Sequence, residues 1–262
     1  MPELPEVEAY RLLAEAAALG RPVSDVDAPD AWFLKGGVDA AAVAAALTGR
    51  TFTGARRLGK LLLLDTSDGG PVLGLRFGMT GRLVVDGRAG VDRLLYASDA
   101  GLAAWDRFGV RFADGGHLRV HDPRRLGGVA LDPDERRLGA DALTVTPAGL
   151  KAALGRSAAP LKARLMDQAH LAGVGNLLAD ETLWRAGLDP RRPAGSLTPA
   201  ELRRLHRHLR AVVADLIARG GSHSGDLMPA RTPGGRCPRD GTALARATVG
   251  GRTTWWCPVH QH

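Results

Sequence analysis

The sequence predicts an α+β protein. A β-rich first half is expected to close as a sandwich or small barrel, followed by a helical second half and a short tail with glycine turns. Three observations predict it. Between Thr51 and about Leu131, short β-type runs are split by Gly, Asp-Gly and Pro, the texture of many short antiparallel strands. From Thr146 onward, helix-start signals recur, with Pro at first helical positions and a capping box. Between the halves, LDPDERRLGAD at 131–141 is polar and reads as a linker. The expected division is 1–131, a linker at 132–141, a helical domain at 142–225 and a tail at 232–262.

The first element is carried by MPELPEVEAY. Pro5 suits a first helical turn, where its missing N–H would be unpaired anyway. Glu6 and Glu8 favour the positive end of a helix dipole. Val7, Tyr10, Ala14 and Ala17 recur as one apolar stripe, and Gly20 ends the run. The same stretch admits a second reading: the terminal amine of Pro2 is itself a reagent, with carboxylates beside it. The alanine-rich stretch 39–47 reads as a short helix closed by Gly49. RTFTGARRLGKLLLLD, GPVLGLRF, GRLVVDG, GVRFADGG and HLRVHDPRRLGGVAL supply the strands. Ser67-Asp68-Gly69-Gly70 and Asp114-Gly115-Gly116 suit hairpin turns. In the second half, Thr146-Pro147 starts one helix, PLKARLMDQ makes another and GNLLADETLWRAG a third. Thr198-Pro199-Ala200-Glu201 is a capping box opening a long helix that Gly220-Gly221 stops.

With 262 residues, 45% of them hydrophobic, the chain is globular and can bury a sizeable core. No apolar run approaches the ~20 residues of a membrane span, and the acidic N-terminus is no signal peptide. A soluble, cytoplasmic monomer is expected, with no organic cofactor. The net charge of +7 and pI of about 10.2 suggest a polyanionic partner. All but four of the 35 basic residues are Arg. Each exception, Lys35, Lys60, Lys151 and Lys162, raises the question of what a compact ammonium does that a guanidinium cannot. The two cysteines, Cys237 and Cys257, fall in the tail, where metal ligation is a better question than a disulfide. No HExxH or paired ligand cluster lies outside the tail. His206 and His208, two apart on one helix, face different ways, which argues against a zinc-dependent hydrolase.

The most specific stretch is LMDQAHLAGVGNLLADETLWRAGLDP, where two helices flank a turn holding Gly173, Gly175 and Asn176. Glycines let a backbone approach a ligand, and the following helix N-terminus offers free N–H groups. A phosphate fits there with Asn176 as an extra donor, and a tight turn with no ligand is the alternative. Five motifs then stand in order: PELPEV, GMTG at 78–81, DPRRLG at 122–127, GVGN at 173–176 and GGRTTWWC at 250–257. In these the chain resembles the Fpg/Nei DNA glycosylases, over essentially its whole length.

The resemblance implies an N-terminal β-sandwich, a helix–two-turns–helix module and a C-terminal β-hairpin finger. It implies double-stranded DNA with damaged bases or abasic sites as the partner, and a nucleoid-associated, bifunctional glycosylase and AP lyase of base excision repair. Pro2 is then the nucleophile that attacks C1′ once Met1 is removed. An α-amine titrates near about 7.7–8.0, so part of it is neutral at physiological pH. The iminium it forms stays cationic and serves as an electron sink. By the same resemblance Glu3 is the acid/base, Glu6 orients the amine and Lys60 is a strand lysine gripping a phosphate. Together they imply β- and then δ-elimination. A flipped base leaves a hole, which Met79, Arg124 and Leu126 match as void-fillers. Asn176 and Arg252 match phosphate contacts, and Arg76, Gly173 and Gly175 are expected to bind phosphate beside them. Lys162 matches a lysine of Fpg-type members expected to meet the base.

The chain departs from the family pattern in four places. Leu126 stands where guanine-directed members carry Phe, and it fills space without stacking. Arg76-Phe77 replace His-Leu. In the finger, two CxxC pairs become Cys237-Pro-Arg-Asp240 and Cys257-Pro-Val-His260. All four remain zinc-ligand types, so one structural zinc ion is expected, against a metal-free hairpin packed by Val249, Trp255 and Trp256. Finally, only fifteen residues separate Gly221 from Cys237. In members acting on 8-oxoguanine this segment is longer and closes over the base. Weak activity on 8-oxoguanine is therefore expected, with ring-opened purines, hydantoins or oxidised pyrimidines preferred. Two alternatives stand beside this: a Nei-like oxidised-pyrimidine glycosylase and a non-catalytic protein that binds damaged DNA.

Overall fold

The structure, a computed structural model, describes residues 2–91, 94–95 and 103–262. It divides into two compact units: Glu6–Glu135 with Pro2, and Arg136–His262 with Glu3–Pro5.

Helix α1 (Leu4–Ala17), which belongs to the first unit from Glu6 onward, has Pro5 and Glu6 in its first turn. Val7, Tyr10 and Ala14 of its stripe are fully buried. Ala18 completes the stripe instead of Ala17, because eleven residues from Val7 make about three turns. The Tyr10 hydroxyl donates to the Gly81 carbonyl at 3.0 Å, and its ring lies 4.5 Å from that of Phe77. Helix α2 (Ala40–Leu47) is capped by Asp39, whose carboxylate accepts the Ala42 N–H at 2.7 Å.

Among the described residues of this unit, nine strands follow the β-type runs: β1 (Val23–Asp27), β2 (Phe52–Leu58), β3 (Leu61–Thr66), β4 (Leu73–Arg76), β5 (Arg82–Val85), β6 (Arg88–Ala89), β7 (Asp106–Phe112), β8 (His117–His121) and β9 (Gly128–Leu131). They form two antiparallel sheets, ordered β1-β7-β8-β5-β6 and β2-β3-β4-β9. Along β8, Leu118 and Val120 are buried while His117, Arg119 and His121 are not, the period of two expected of a half-covered sheet. These residues join Leu62, Leu64 and Leu75 from the other sheet, and α1, in one apolar cluster. Each fully buried Leu or Val there contributes about 1.5–3 kcal/mol.

One expected feature differs. Lys60 is not in a strand. It is the second residue of the two-residue turn joining β2 to β3, where Leu58 pairs with Leu61. Gly59 supplies the turn's positive φ of 58°, the requirement of a tight hairpin. The polar stretch at 132–141 also differs. It holds a short 3-10 turn at Glu135–Arg137 and the strand β10 (Ala140–Asp141), so its last residues are part of the second unit.

In the second unit, β10 pairs in parallel with β11 (Leu171–Ala172). Four helices accompany the pair: α3 (Pro147–Leu154), α4 (Leu161–Leu165), α5 (Asn176–Ala186) and α6 (Pro199–Ala218). Helix α4 is shorter than PLKARLMDQ suggests. Asp167 competes for the backbone there, accepting the Ala169 N–H at 3.1 Å in an Asx turn. Helix α6 opens with the expected capping box of Thr198 and Glu201. It buries Leu205, Leu209, Val212, Val213 and Leu216 along one face. These pack with Leu150, Leu161, Leu178 and Leu183, and with Leu4 from the N-terminal segment. The tail forms the hairpin of β12 (Ala245–Val249) and β13 (Arg252–Trp256), closed by Gly250 and Gly251 at φ 56° and 72°. A Cβ on Gly250 would meet the Ala163 Cβ at 2.7 Å, so only glycine lets the turn rest on α4.

Candidate functional site

The N-terminal segment delivers a carboxylate to the start of a helix. Glu3 is fully buried, and its two oxygens accept the Leu177 and Leu178 N–H groups at 2.9 and 3.0 Å. The Leu4 N–H donates to the Gly173 carbonyl at 3.1 Å. A Cβ on Gly175 would overlap the Glu3 carboxyl, so glycine is required for this approach. The free N–H groups expected here for a phosphate are thus taken in part by Glu3. Asn176 begins α5 with its side-chain Oδ1 buried and without a hydrogen-bond partner in the structure; the group it can offer a phosphate is its amide NH₂ donor. Pro2, the residue before Glu3, is buried, as is Glu6.

In the first unit, the turn bearing half-buried Lys60 is braced from α1. Arg57 donates to Glu8 at 2.8 Å and to the Gly59 carbonyl at 3.0 Å. Glu8 and Arg57 are supports that sequence reasoning missed.

The two loops expected to enter DNA are built together. Asp122 is fully buried. One of its oxygens accepts the Thr80 hydroxyl at 2.6 Å and the Arg124 N–H at 3.2 Å, and the other accepts the Gly127 N–H at 2.8 Å. A Cβ on Gly78 would overlap the backbone at Leu126. Arg125 adopts a positive φ of 56°, and a bidentate pair to Asp30 at 2.6 and 2.7 Å holds it there. This frame turns Arg124 and Leu126 outward, with Leu126 52% exposed, while Met79 is half-buried. Asp122 was also missed as an organiser, although Asp-Pro opening DPRRLG is a turn signal.

Cys237, Asp240, Cys257 and His260 place their ligand atoms within 4.8 Å of one another. The Asp240 carboxylate lies 3.3 Å from both Cys257 Sγ and His260 Nδ1, and His260 Nδ1 lies 3.6 Å from Cys237 Sγ. Such separations match the edges of a tetrahedron with bonds of about 2.0–2.3 Å. The surroundings suit a metal as well. The Trp184 indole N–H and the Arg239 N–H both donate to Cys237 Sγ at 3.4 Å. The His260 Nε2 position faces the Trp184 carbonyl at 3.2 Å, which turns Nδ1 to the cluster. The bond from the Thr242 N–H holds the Asp240 carboxyl well below the usual carboxylate range. These four residues can hold one metal ion.

Two family models match the chain: the formamidopyrimidine-DNA glycosylase N-terminal domain over residues 1–129 and the formamidopyrimidine-DNA glycosylase H2TH domain over 138–227. A formamidopyrimidine-DNA glycosylase of Paracoccus denitrificans is 34% identical over 288 aligned residues, with all of both chains covered. One of Thermus thermophilus is 36% identical, covering 100% of this chain and 98% of that one. The chain belongs to the formamidopyrimidine-DNA glycosylase family. Among solved structures, the Lactococcus lactis Fpg in complex with DNA containing an abasic site matches with a TM-score of 0.83 and 25% identity, covering both chains fully. The L. lactis Fpg in complex with DNA containing Fapy-dG matches with the same TM-score of 0.83 and 25% identity, covering 99% of this chain and 100% of that one.

Lys162, which the resemblance matched to a base-meeting lysine, is fully buried. Its ammonium pairs with Asp180 at 2.7 Å and donates to Thr254 Oγ1 at 2.7 Å and the Thr253 carbonyl at 3.2 Å. Burial pushes its pKa down, against the pull of the Asp180 charge. Asp180 also holds Arg231 at 2.8 Å, so one carboxylate gathers α4, the segment after α6 and β13. The Thr254 hydroxyl donates to the Arg252 carbonyl at 3.0 Å, next to the exposed tip where Arg252 stands. Arg76 is exposed at the end of β4, and Gly173 takes a φ of 108° that favours glycine. Among the described residues, no helix is long and apolar enough to cross a membrane.

Proposed function

We propose that this family member is a bifunctional DNA glycosylase and AP lyase. It acts on double-stranded DNA carrying ring-opened or oxidised bases or abasic sites. The observation that carries the reading is a pair of consecutive residues: Pro2, and a buried carboxylate at Glu3 fixed by two backbone N–H groups. Binding alone needs neither a secondary amine at the terminus nor an immobilised acid beside it.

With Met1 removed, the neutral Pro2 nitrogen adds to C1′ of the flipped nucleotide and the C1′–base bond breaks. Glu3 moves protons at the sugar ring and the departing base. The ring opens to an iminium at C1′. Loss of a C2′ proton then expels the 3′-phosphate, and a second elimination expels the 5′-phosphate. Glu6 orients the amine. Lys60, Asn176, Arg76 and Arg252 bind phosphates, while Met79, Arg124 and Leu126 occupy the space left by the base. Zinc suits the Cys237, Asp240, Cys257 and His260 set, where it supplies a structural tie for the finger and no step of the reaction.

The fifteen-residue segment after Gly221 supports weak action on 8-oxoguanine. It is strapped to α5: the Asp226 and Leu227 N–H groups donate to Glu181 at 3.1 and 2.9 Å, and Arg231 is held by Asp180. A strap held this way does not fold over a purine. The L. lactis complex with Fapy-dG DNA supports a ring-opened purine as substrate. Single-turnover excision on duplexes carrying Fapy-dG, 8-oxoguanine or an oxidised pyrimidine tests the reading. Faster release of Fapy-dG than of 8-oxoguanine, with phosphates at both ends of a one-nucleotide gap, is expected. 8-Oxoguanine as the fastest substrate would overturn the specificity, and binding without scission would overturn the chemistry.

A further inference from the structure

Trp32 is 69% exposed, whereas Trp184, Trp255 and Trp256 are buried and Trp105 is half-buried. A single exposed apolar side chain is ordinary. The setting of this one is not. It sits in a 3-10 turn, Ala31–Phe33, where the Asp30 carboxylate caps the Trp32 N–H at 3.2 Å. The next residue, Phe33, is fully buried and packs where a Cβ on Gly127 would stand, and Leu34 bridges to Val129. The backbone carrying the indole is therefore anchored, on the segment tied to the loop of Arg124 and Leu126 by the Asp30–Arg125 pair.

Among the described residues around it, cations predominate. The Lys35 ammonium lies 4.9 Å from the ring centre. Trp32 shares a recess of about 610 Å³ with Arg107 and Arg125. Of the recess carboxylates, Asp30 is taken by Arg125, with Arg107 at 3.7 Å, and Asp106 pairs with Arg119 and His121. Among the described residues at the ring and its recess, Lys35, Arg107 and Arg125 thus outnumber Asp30, the one carboxylate not paired elsewhere. A flat aromatic face inside a surplus of cations suits a partner with both π-faces and phosphates.

We propose that Trp32 is a DNA-contacting residue, its indole packing on the duplex beside the position taken by Arg124 and Leu126. This rests on the DNA-binding reading above and adds the aromatic surface that Leu126 lacks.

The test uses the full-length protein and a short duplex with a tetrahydrofuran abasic analogue. Acrylamide quenching of tryptophan fluorescence is compared with and without DNA, and Trp32→Phe identifies the Trp32 signal. DNA is expected to shield that signal. Trp32→Ala is expected to raise the Kd about 5- to 150-fold, the range for losing one stacked aromatic, with the salt slope unchanged because no phosphate contact is lost. Trp32→Phe should restore most of the affinity. Unaltered quenching, or a Kd within about twofold of the parent, would overturn the inference while leaving the glycosylase reading intact. A parent protein that does not bind the duplex at all would instead overturn that reading.

Discussion

The loop Asp122–Gly127 and the turn Gly173–Asn176 are both short, glycine-bearing connections, and each is organised by one fully buried carboxylate. In the loop, the carboxylate is the loop's own. Asp122 collects the Thr80 hydroxyl and two backbone N–H groups, which shapes the backbone and leaves Arg124 and Leu126 facing out. In the turn, the carboxylate arrives from the chain terminus. Glu3 takes two N–H groups of α5, which fixes the residue after Pro2 at the start of that helix. Under the proposed function, the first carboxylate shapes a loop that holds DNA and the second is the reagent, aimed by N–H groups of the α5 N-terminus.

Three substitutions sharpen this contrast. The largest effect is expected for Glu3→Gln. Base excision should fall by about 10²- to 10⁴-fold, the usual contribution of a positioned acid/base, with DNA affinity close to that of the parent. Single-turnover rates against binding isotherms separate the two, and an equal loss in both would make Glu3 only an anchor. Asp122→Ala should act the other way round. It leaves a hydroxyl and two N–H groups without their acceptor, a loss of about 3 kcal/mol in urea denaturation, and it weakens DNA binding more than the rate of bound complexes.

The smallest effect is expected at a third carboxylate, Glu201, which is not fully buried. Its bonds to Arg192 and the Thr198 cap lower its pKa to about 2. A carboxylate with a lowered folded pKa stabilises the fold above its unfolded value and loses that contribution as pH falls. Stability should therefore drop between about pH 4.5 and 2. Glu201→Gln should flatten that part of the profile, at a cost near about 1 kcal/mol at neutral pH. A pH-independent difference between the two proteins would contradict the assignment.

Local chemistry made much of the fold legible. Thr198-Pro199-Ala200-Glu201 announces its helix because capping is settled within four residues, and alternation along β8 shows which side is covered. The finger's ligand set was legible because ligand type and spacing survive in sequence. What escaped depends on partners far along the chain. LGKLLLL reads as one strand, yet Gly59 and Lys60 form a turn whose brace, Glu8, lies in another element. Lys162 is matched by sequence to a base-meeting lysine, and its burial shows only once Asp180 and Thr254 come together around it. The N-terminus of α5 looks open for a phosphate until Glu3, 174 residues before Leu177, closes part of it.

The central claim is that the chain begins with a nucleophile held next to its acid. Borohydride trapping on duplex DNA with a single abasic site tests it most directly, with Pro2→Gly and a form retaining Met1 as controls. A covalent protein–DNA adduct that forms with the free Pro2 terminus and is lost when Met1 is retained is the predicted result. Tight binding with no adduct, or an adduct unaffected by blocking the terminus, would contradict it.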